Sequence, residues 1–420
     1  MNVKITPTNI CGKVQIISSK SELHRLLILS ALSSDGRPTT INFVGTPSRD
    51  VTATVDCFRA IGVGVQMQDS SFTVTPLKEI PNGTIDICPD ESGSTLRFIL
   101  PVFSALGLDY RITVNGRLGL RPLSPLYELM TENGVVMSEN GKYPLTVHGK
   151  LEKGDYEIAG NVSSQFISGL LMALPLIGGG SVKVTGEFQS KPYVDITVGA
   201  MRKFGVTVTE NDNVYTVTGV YRSAGIIDAG GDWSNGAFFL SLGAIKNQIT
   251  VTGLDIESYQ GDKAVTEILT RFGATISENE NGLTVSKNQL VATQIDASDV
   301  PDLIPILSVV AAVSKGQTTV INAGRLRIKE SDRIASVVNM INALGGDAIE
   351  TPDGIIINGK PALTGGTVDG AGDHRIVMSS AVASAVCDNP VTVLGAQAVN
   401  KSYPQFFEII NGLGFITKEI

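Results

Sequence analysis

Met201-Arg-Lys-Phe-Gly205-Val-Thr-Val-Thr209 joins two signals: the end of an amphipathic helix stopped by glycine, and an alternating β-branched run of the kind that forms a half-buried strand. The phrase recurs along the chain. Phe58-Arg-Ala-Ile-Gly62-Val, Leu129-Met-Thr-Glu-Asn-Gly134-Val, Leu269-Thr-Arg-Phe-Gly273-Ala, Met340-Ile-Asn-Ala-Leu-Gly345 and Ile410-Asn-Gly-Leu-Gly414-Phe repeat it. By subtraction, successive glycines stand 72, 71, 68, 72 and 69 residues apart, so six units of about 70 residues fill the chain.

A second phrase keeps the same period: a polar, small-residue start, a strongly apolar helix, then a turn and a strand. Its starts are Lys20-Ser21, Ser92-Gly93-Ser94, Ser163-Ser164-Gln165, Trp233-Ser234-Asn235, Asp302-Leu303 and Asp373-His374-Arg375. Helices such as 166–177 and 303–313 have no polar face and are predicted to be buried, whereas the glycine-terminated helices have one polar side and cover the outside. Hairpins follow, as in Val206-Thr-Val-Thr with Val214-Tyr-Thr-Val-Thr. Each unit therefore reads β, buried helix, β, outer helix, β-hairpin. The sixth unit stops one strand short at Phe415-Ile-Thr-Lys-Glu-Ile420, and Val3-Lys-Ile-Thr-Pro7 resembles the missing partner. The fold class is α/β, with two domains, each of three βαβαββ-type repeats with buried parallel helices. One domain is expected over residues 19–229 and the other over 1–18 plus 230–420, completed by the N-terminal strand. Helices that start in register point their N-termini the same way, so an anion-binding cleft between the domains is expected.

Composition narrows the function. A chain of 420 residues exceeds what one core organises, and a net charge of −8 argues against non-specific binding to nucleic acid or acidic membranes. Any anion site must be a local convergence of cations. Cys11, Cys57, Cys88 and Cys387 are scattered, without the spacing of a zinc site or a disulfide framework, and Cys57 and Cys387 read as small hydrophobes. No metal or cofactor is implied. The N-terminus lacks an apolar leader and the longest apolar runs are too short to span a bilayer, so a cytoplasmic protein is expected.

Cations gather at the helix starts. Arg325-Leu-Arg-Ile-Lys-Glu-Ser-Asp-Arg333 crowds four cationic and two acidic side chains into nine residues. Glu330, Ser331 and Asp332 read as the opening of a helix that continues through Ile334, Val337, Val338, Ile341 and Leu344, on which Lys329 and Arg333 would share a face. Lys20, Ser21 and Arg25 open the first buried helix, and Glu91-Ser-Gly-Ser-Thr95 with Arg97 opens the second. Arg121-Pro122, Ser190-Lys-Pro-Tyr193 and Lys401-Ser-Tyr-Pro404 introduce outer helices. Serine and aspartate at such places are ordinary caps. Lysine and arginine are not, because cations disfavour that end of a helix, and more than one bound anion explains them best. His24 and His148 read as packing or surface residues.

Ser19-Lys20-Ser21 with Arg25, Gly93-Ser94 with Arg97, Ser163-Ser-Gln-Phe166, Ser190-Lys-Pro-Tyr193, Lys329-Glu-Ser-Asp-Arg333, Asp373-His-Arg375 and Lys401-Ser-Tyr-Pro404 resemble, as an ordered set, the motifs of the 5-enolpyruvylshikimate-3-phosphate synthase family. The resemblance implies the inside-out α/β barrel fold of the enolpyruvyl transferases, two domains closing over the substrates, and a monomer without cofactor or metal. It assigns shikimate 3-phosphate to Lys20, Ser21, Arg25, Ser163, Ser164, Gln165, Ser190, Tyr193, Asp302 and Lys329. Phosphoenolpyruvate falls to Lys20, Gly93, Arg121, Gln165, Arg333, Arg375 and Lys401. Many members have asparagine where this chain has Glu91, and some have asparagine at Arg325. The herbicide glyphosate is implied to share the phosphoenolpyruvate pocket and to be excluded from relatives with alanine at the position of Gly93.

The implied reaction suits these residues. The 5-hydroxyl of shikimate 3-phosphate adds to C2 of the enol phosphate while C3 gains a proton, and phosphate then leaves as C3 loses one. Asp302 is expected to act as base for the hydroxyl, with Glu330 and Lys20 in the proton transfers. Two rivals are a relative that uses UDP-N-acetylglucosamine and a non-catalytic repeat scaffold. The former typically carries a loop cysteine with no counterpart here, and the latter gives no reason for acids among the cations.

Overall fold

The computed structural model describes every residue except Lys153 and Asn281. Twelve α-helices occur among the described residues: α1 (Lys20–Ala31), α2 (Arg49–Ala60), α3 (Gly93–Leu106), α4 (Leu126–Glu132), α5 (Ser164–Ala173), α6 (Lys191–Lys203), α7 (Trp233–Ile245), α8 (Val265–Phe272), α9 (Ile304–Ala312), α10 (Arg333–Ala343), α11 (His374–Ala383) and α12 (Phe406–Gly412). Odd-numbered helices are the apolar ones. Every residue of α9 is buried, as is all of α7 but Ser234. Even-numbered helices bury one stripe, as α8 does with Val265, Ile268, Leu269 and Phe272 while Glu267 and Arg271 face water. The six glycines of the repeated phrase, Gly62, Gly134, Gly205, Gly273, Gly345 and Gly414, all have φ between 82° and 108°. That left-handed conformation is what lets the chain stop a helix and turn at once into a strand, and a Cβ there would be strained.

The chain divides into two compact units, Met1–Ile17 with Gly230–Ile420, and Ser18–Ala229, each with its own hydrophobic core. Each unit holds three four-stranded sheets built to one plan, a parallel pair followed by two antiparallel strands, and in four of the six sheets an inner helix directly bridges the parallel pair. Strand Val3–Pro7 lies between Val391–Leu394 and Phe415–Glu419, antiparallel to both, with Ile5 opposite Val391 and Thr417. Two first strands are exchanged between repeats. Gly12–Gln15, which precedes α1, pairs in parallel with Ile249–Thr252, while Ile226–Asp228, which precedes α7, pairs in parallel with Thr39–Asn42. At both crossings the strand stays in the unit the chain is leaving, and only the helix after it enters the next. The unit-by-unit reading of the sequence did not foresee this exchange. Helices α3 and α5 approach closely at Gly169, where a Cβ would lie 2.6 Å from the Arg97 carbonyl and 2.8 Å from Pro101.

The central position of Val3–Pro7 has a measurable consequence. Ile5 is wholly buried and Lys4 beside it is exposed. Ile5→Ala is expected to cost about 2–4 kcal/mol in urea unfolding, as for other buried aliphatic truncations, and Lys4→Ala less than about 0.5 kcal/mol. Equal effects would mean that the strand contributes only backbone pairing.

Candidate active site

In the unit Ser18–Ala229 the three inner helices are capped by serines: Ser19 Oγ accepts from Glu22 N, Ser92 Oγ from Thr95 N, and Ser163 Oγ from Gln165 N. Neutral caps leave the positive ends of α3 and α5 without an acid in the first turn, α1 has only Glu22 there, and cations add to all three. Lys20 Nζ is 3.0 Å from Asp50 Oδ2, a partner the sequence reading did not single out. Arg25 is buried and acts as a brace. Its Nη1 donates to the Ser21 carbonyl at 2.6 Å, its Nη2 to the Tyr193 carbonyl at 2.8 Å and its Nε to Thr197 Oγ1 at 2.6 Å, with the guanidinium over the Phe98 ring. It thereby joins Lys20 and Ser21 at the start of α1 to Tyr193 on α6. Ser190, the residue before α6, has φ 58° and is almost fully buried.

A second cluster forms at the start of α3. Arg97 Nη1 donates to Gln165 Oε1 at 2.9 Å, and Gln165 Nε2 donates to Ser94 Oγ at 2.8 Å, so Gln165 and Ser164 on α5 are drawn to Gly93-Ser94. A Cβ on Gly93 would lie 2.9 Å from Arg97 Nη1 and collide with Arg121 Nη1. Two guanidinium groups crowd its Cα, so any larger residue here would have to push the Arg121 guanidinium aside. The side chain of Glu91 lies against Gly116, whose φ is 54°, and a Cβ there would be 2.5 Å from the Glu91 carboxyl carbon.

The other unit replaces serine with aspartate. Asp232 caps α7, Asp373 caps α11, and Asp302 lies two residues ahead of α9. The carboxylates meet at Arg333, which is 1% exposed. Its Nε, Nη1 and Nη2 each stand 2.7 Å from a different acid: Asp373, Asp302 and Glu330. Arg375 takes the second oxygen of Asp302 at 2.7 Å and the Asp302 carbonyl at 3.1 Å. Lys401 reaches the loop before α11, donating to the Gly372 carbonyl at 2.9 Å. The structure thus brings Asp302, Glu330, Arg333, Arg375 and Lys401 together. One expectation fails: Lys329 is not on α10 beside Arg333. Residues 324–328 form a separate 3-10 turn, Asp332 caps α10 through Ala335 N, and Lys329 falls between the two.

Burial alone would raise the pKa of Asp302, but the charges of Arg375, Arg333 and Lys329 outweigh it and hold the carboxyl well below its ordinary value. Lys329 moves the other way. Burial, helped by Arg325 and Arg333 and opposed by Asp302, pushes its ammonium down to about 7. Asp262, in the 3-10 turn Gly261–Ala264, was missed by the sequence reading. It accepts a hydrogen bond from Ser234 Oγ, and burial, then the charge of Asp302, raise its carboxyl to about 7. Nothing in Gln-Gly-Asp signals this, since the turn meets α7 only in the fold. Neighbouring acids whose proton affinities are pulled in opposite directions suit proton transfer. Among the described residues no three metal-ligating side chains cluster, and no helix is long and apolar enough to cross a membrane.

Comparison with known proteins bears on the same residues. The 3-phosphoshikimate 1-carboxyvinyltransferase of Clostridium kluyveri is 40% identical over 417 residues, covering 98% of this chain and 97% of that one. The protein of the same name from Clostridium perfringens (strain ATCC 13124) is 41% identical over 428 residues, 99% of each. A solved EPSP synthase from Acinetobacter baumannii superposes with a TM-score of 0.81 at 26% identity over 100% of both chains. The enolpyruvyl transferase NikO from Streptomyces tendae gives 0.77 at 15% identity over 99% of this chain and 98% of that one, a likeness of fold alone. The model of one family, EPSP synthase (3-phosphoshikimate 1-carboxyvinyltransferase), runs from residue 5 to residue 410 and takes in both clusters of helix starts, and the chain belongs to that family.

Proposed function

We propose a division of labour among these residues in the reaction of the family. The chain transfers the enolpyruvyl group of phosphoenolpyruvate to the 5-hydroxyl of shikimate 3-phosphate and releases phosphate. Transfer to UDP-N-acetylglucosamine draws no support from the family match. Lys20, Ser21, Ser163, Ser164, Gln165, Ser190, Tyr193 and Lys329 bind shikimate 3-phosphate, with Arg25 holding Ser21 and Tyr193 in place. Phosphoenolpyruvate is bound by Lys20, Gly93, Arg121, Gln165, Arg375 and Lys401, with Arg333 setting the acids among them. Asp302 receives the proton of the 5-hydroxyl, and Glu330 and Lys20 serve C3. A cytoplasmic monomer without cofactor or metal is part of the proposal.

The observation that carries it is the clamp of Asp302 between Arg333 and Arg375. In the free protein two guanidinium groups make Asp302 a firm acceptor and a weak base. Phosphoenolpyruvate brings negative charge to Arg375, which weakens its hold on Asp302 and raises the proton affinity of the carboxylate as the substrate arrives. Basicity is delivered with the substrate. The guanidinium and ammonium groups offset the charge that develops as phosphate departs.

Three measurements test this. A phosphate-release assay with phosphoenolpyruvate and shikimate 3-phosphate should show turnover that Asp302→Asn lowers on the order of 10²-fold or more with shikimate 3-phosphate affinity retained. Turnover near wild type would remove Asp302 from the base role. Lys329 in the free protein gives up its proton as pH rises through about 7, and a bound phosphate restores the ammonium. Binding of shikimate 3-phosphate near pH 7.5 should therefore take up protons, seen by calorimetry in buffers of different ionisation enthalpy. The uptake should vanish in Lys329→Met. In Gly93→Ala the new methyl must displace the Arg121 guanidinium, so the glyphosate inhibition constant should rise relative to the phosphoenolpyruvate KM by about tenfold or more, the usual cost of a methyl group misplaced in a pocket. An unchanged ratio would place glyphosate elsewhere.

A further inference from the structure

Beneath the start of α3 runs a buried chain of polar groups that none of the substrate roles uses. His24 Nδ1 is 2.7 Å from Thr54 Oγ1, Thr54 Oγ1 is 2.7 Å from Thr95 Oγ1, and Thr95 Oγ1 donates to Ser92 Oγ at 2.7 Å. All four residues are at most 1% exposed. They lie on α1, α2 and α3 and on the residue that caps α3, so one chain of hydrogen bonds ties three helices together. Its ends are adjacent to proposed substrate residues. Lys20 is one helical turn before His24, and Gly93 follows Ser92.

The chain has a direction. Thr95 gives its single hydroxyl hydrogen to Ser92, whose oxygen also accepts Thr95 N at 3.2 Å, and the Asp50 carbonyl at 3.4 Å is the weaker competitor. Thr54 must then donate to Thr95, its oxygen is left to accept from the imidazole, and the ring proton sits on Nδ1. Nε2 keeps a lone pair. It has no hydrogen-bond partner among the described residues and the ring stands edge-on to Phe98. The other tautomer would bury an N–H with nothing to receive it, which costs more than a buried lone pair. Burial, then the charges of Lys20 and Arg25, push the His24 pKa well below its ordinary value, so the ring stays neutral. The chain ends blindly at Nε2 and cannot pass protons to water. What it does is align three X–H dipoles toward Ser92, whose own hydroxyl hydrogen is the last donor in the line, and add their field to the positive end of α3.

We propose that His24, acting through Thr54, Thr95 and Ser92, is a positioning residue for the phosphoenolpyruvate half of the site, fixing the first turn of α3 and strengthening its hold on an anion. This rests on the reading that phosphoenolpyruvate binds at Gly93. Thr54→Val cuts the chain in the middle at nearly constant volume, and Thr54→Ser restores it. In Thr54→Val the KM for phosphoenolpyruvate is expected to rise about tenfold, the scale of one buried hydrogen bond lost, while kcat and the KM for shikimate 3-phosphate stay within about twofold. Thr54→Ser should return to within about twofold of wild type on every constant. The chain has three histidines, so nitrogen-15 spectra of the full-length protein can resolve the ring, with His24→Asn assigning it. The wild type should show the Nδ1–H tautomer and Thr54→Val the Nε2–H form. If Thr54→Val does not fold, Thr54→Ala makes the same cut without the branched side chain. An Nε2–H ring in the wild type overturns the proposal. So does a Thr54→Val protein that melts lower yet keeps its phosphoenolpyruvate KM, because that is a structural chain only. A wild type that releases no phosphate from the two substrates would refute the functional reading instead, and the tautomer would still decide the direction of the chain.

Discussion

Arg333 is the interaction on which the acid-bearing unit depends. A guanidinium in water prefers its hydration shell, and burying it has a net cost unless each face of its donor fork meets an acceptor. Here the three kinds of nitrogen meet three carboxylates, from the approach to α9, from the approach to α10 and from the cap of α11. Those acids would repel one another without it. Arg375 and Lys329 join Arg333 in bearing on Asp302, so positive and negative groups are closely interleaved around that carboxylate. A site so balanced is sensitive to each new charge, and both substrates are anions.

The contrast between the two units follows from one choice repeated three times. Serine caps leave helix N-termini positive, and the unit Ser18–Ala229 uses Ser19, Ser92 and Ser163. Aspartate caps neutralise them, and the other unit uses Asp232 and Asp373, with Asp302 beside the third start. The same scaffold thus yields one surface suited to holding anions and another suited to moving protons. Fold and electrostatics are separable here, because the inner helices of both units are buried along most of their length whichever residue stands at their starts.

How much of this was legible depended on distance along the chain. The glycines at 72, 71, 68, 72 and 69 residue intervals and the missing polar face on helices such as 303–313 are local signals, and inner and outer helices followed from them. The motif residues at helix starts were legible for the same reason. Lys329 was misplaced because Asp332 competes successfully for the cap position, a contest between neighbours that helical spacing does not decide. Asp262 and Asp50 carry no local mark at all. Asp262 stands 40 residues from Asp302 by subtraction, and only the packing of its turn against α7 makes it an acid of the site. His24 looked like a packing residue because the hydrogen-bond chain it heads runs through Thr54 and Thr95, on two other helices.

The exchanged strands bear on the order in which the chain can fold as it is made. Ser18–Ala229 is one continuous segment, and Ile226–Asp228, the last strand it needs, is also its last part to be synthesised. That unit can close while the rest is still being added. The other unit is split around it. Gly12–Gln15 waits for Ile249–Thr252, and Val3–Pro7 waits for Val391–Leu394 and then Phe415–Glu419, more than 380 residues later. Closing so long a loop adds little entropy cost, since that cost grows only with the logarithm of length, and the inserted unit, once folded, shortens the effective loop further. The burden is kinetic. At about 5–20 residues per second the first strand stays unpaired for roughly 20–80 seconds, an edge without a sheet, and its alternation of exposed Lys4 with buried Val3 and Ile5 places a charge where stray pairing would begin.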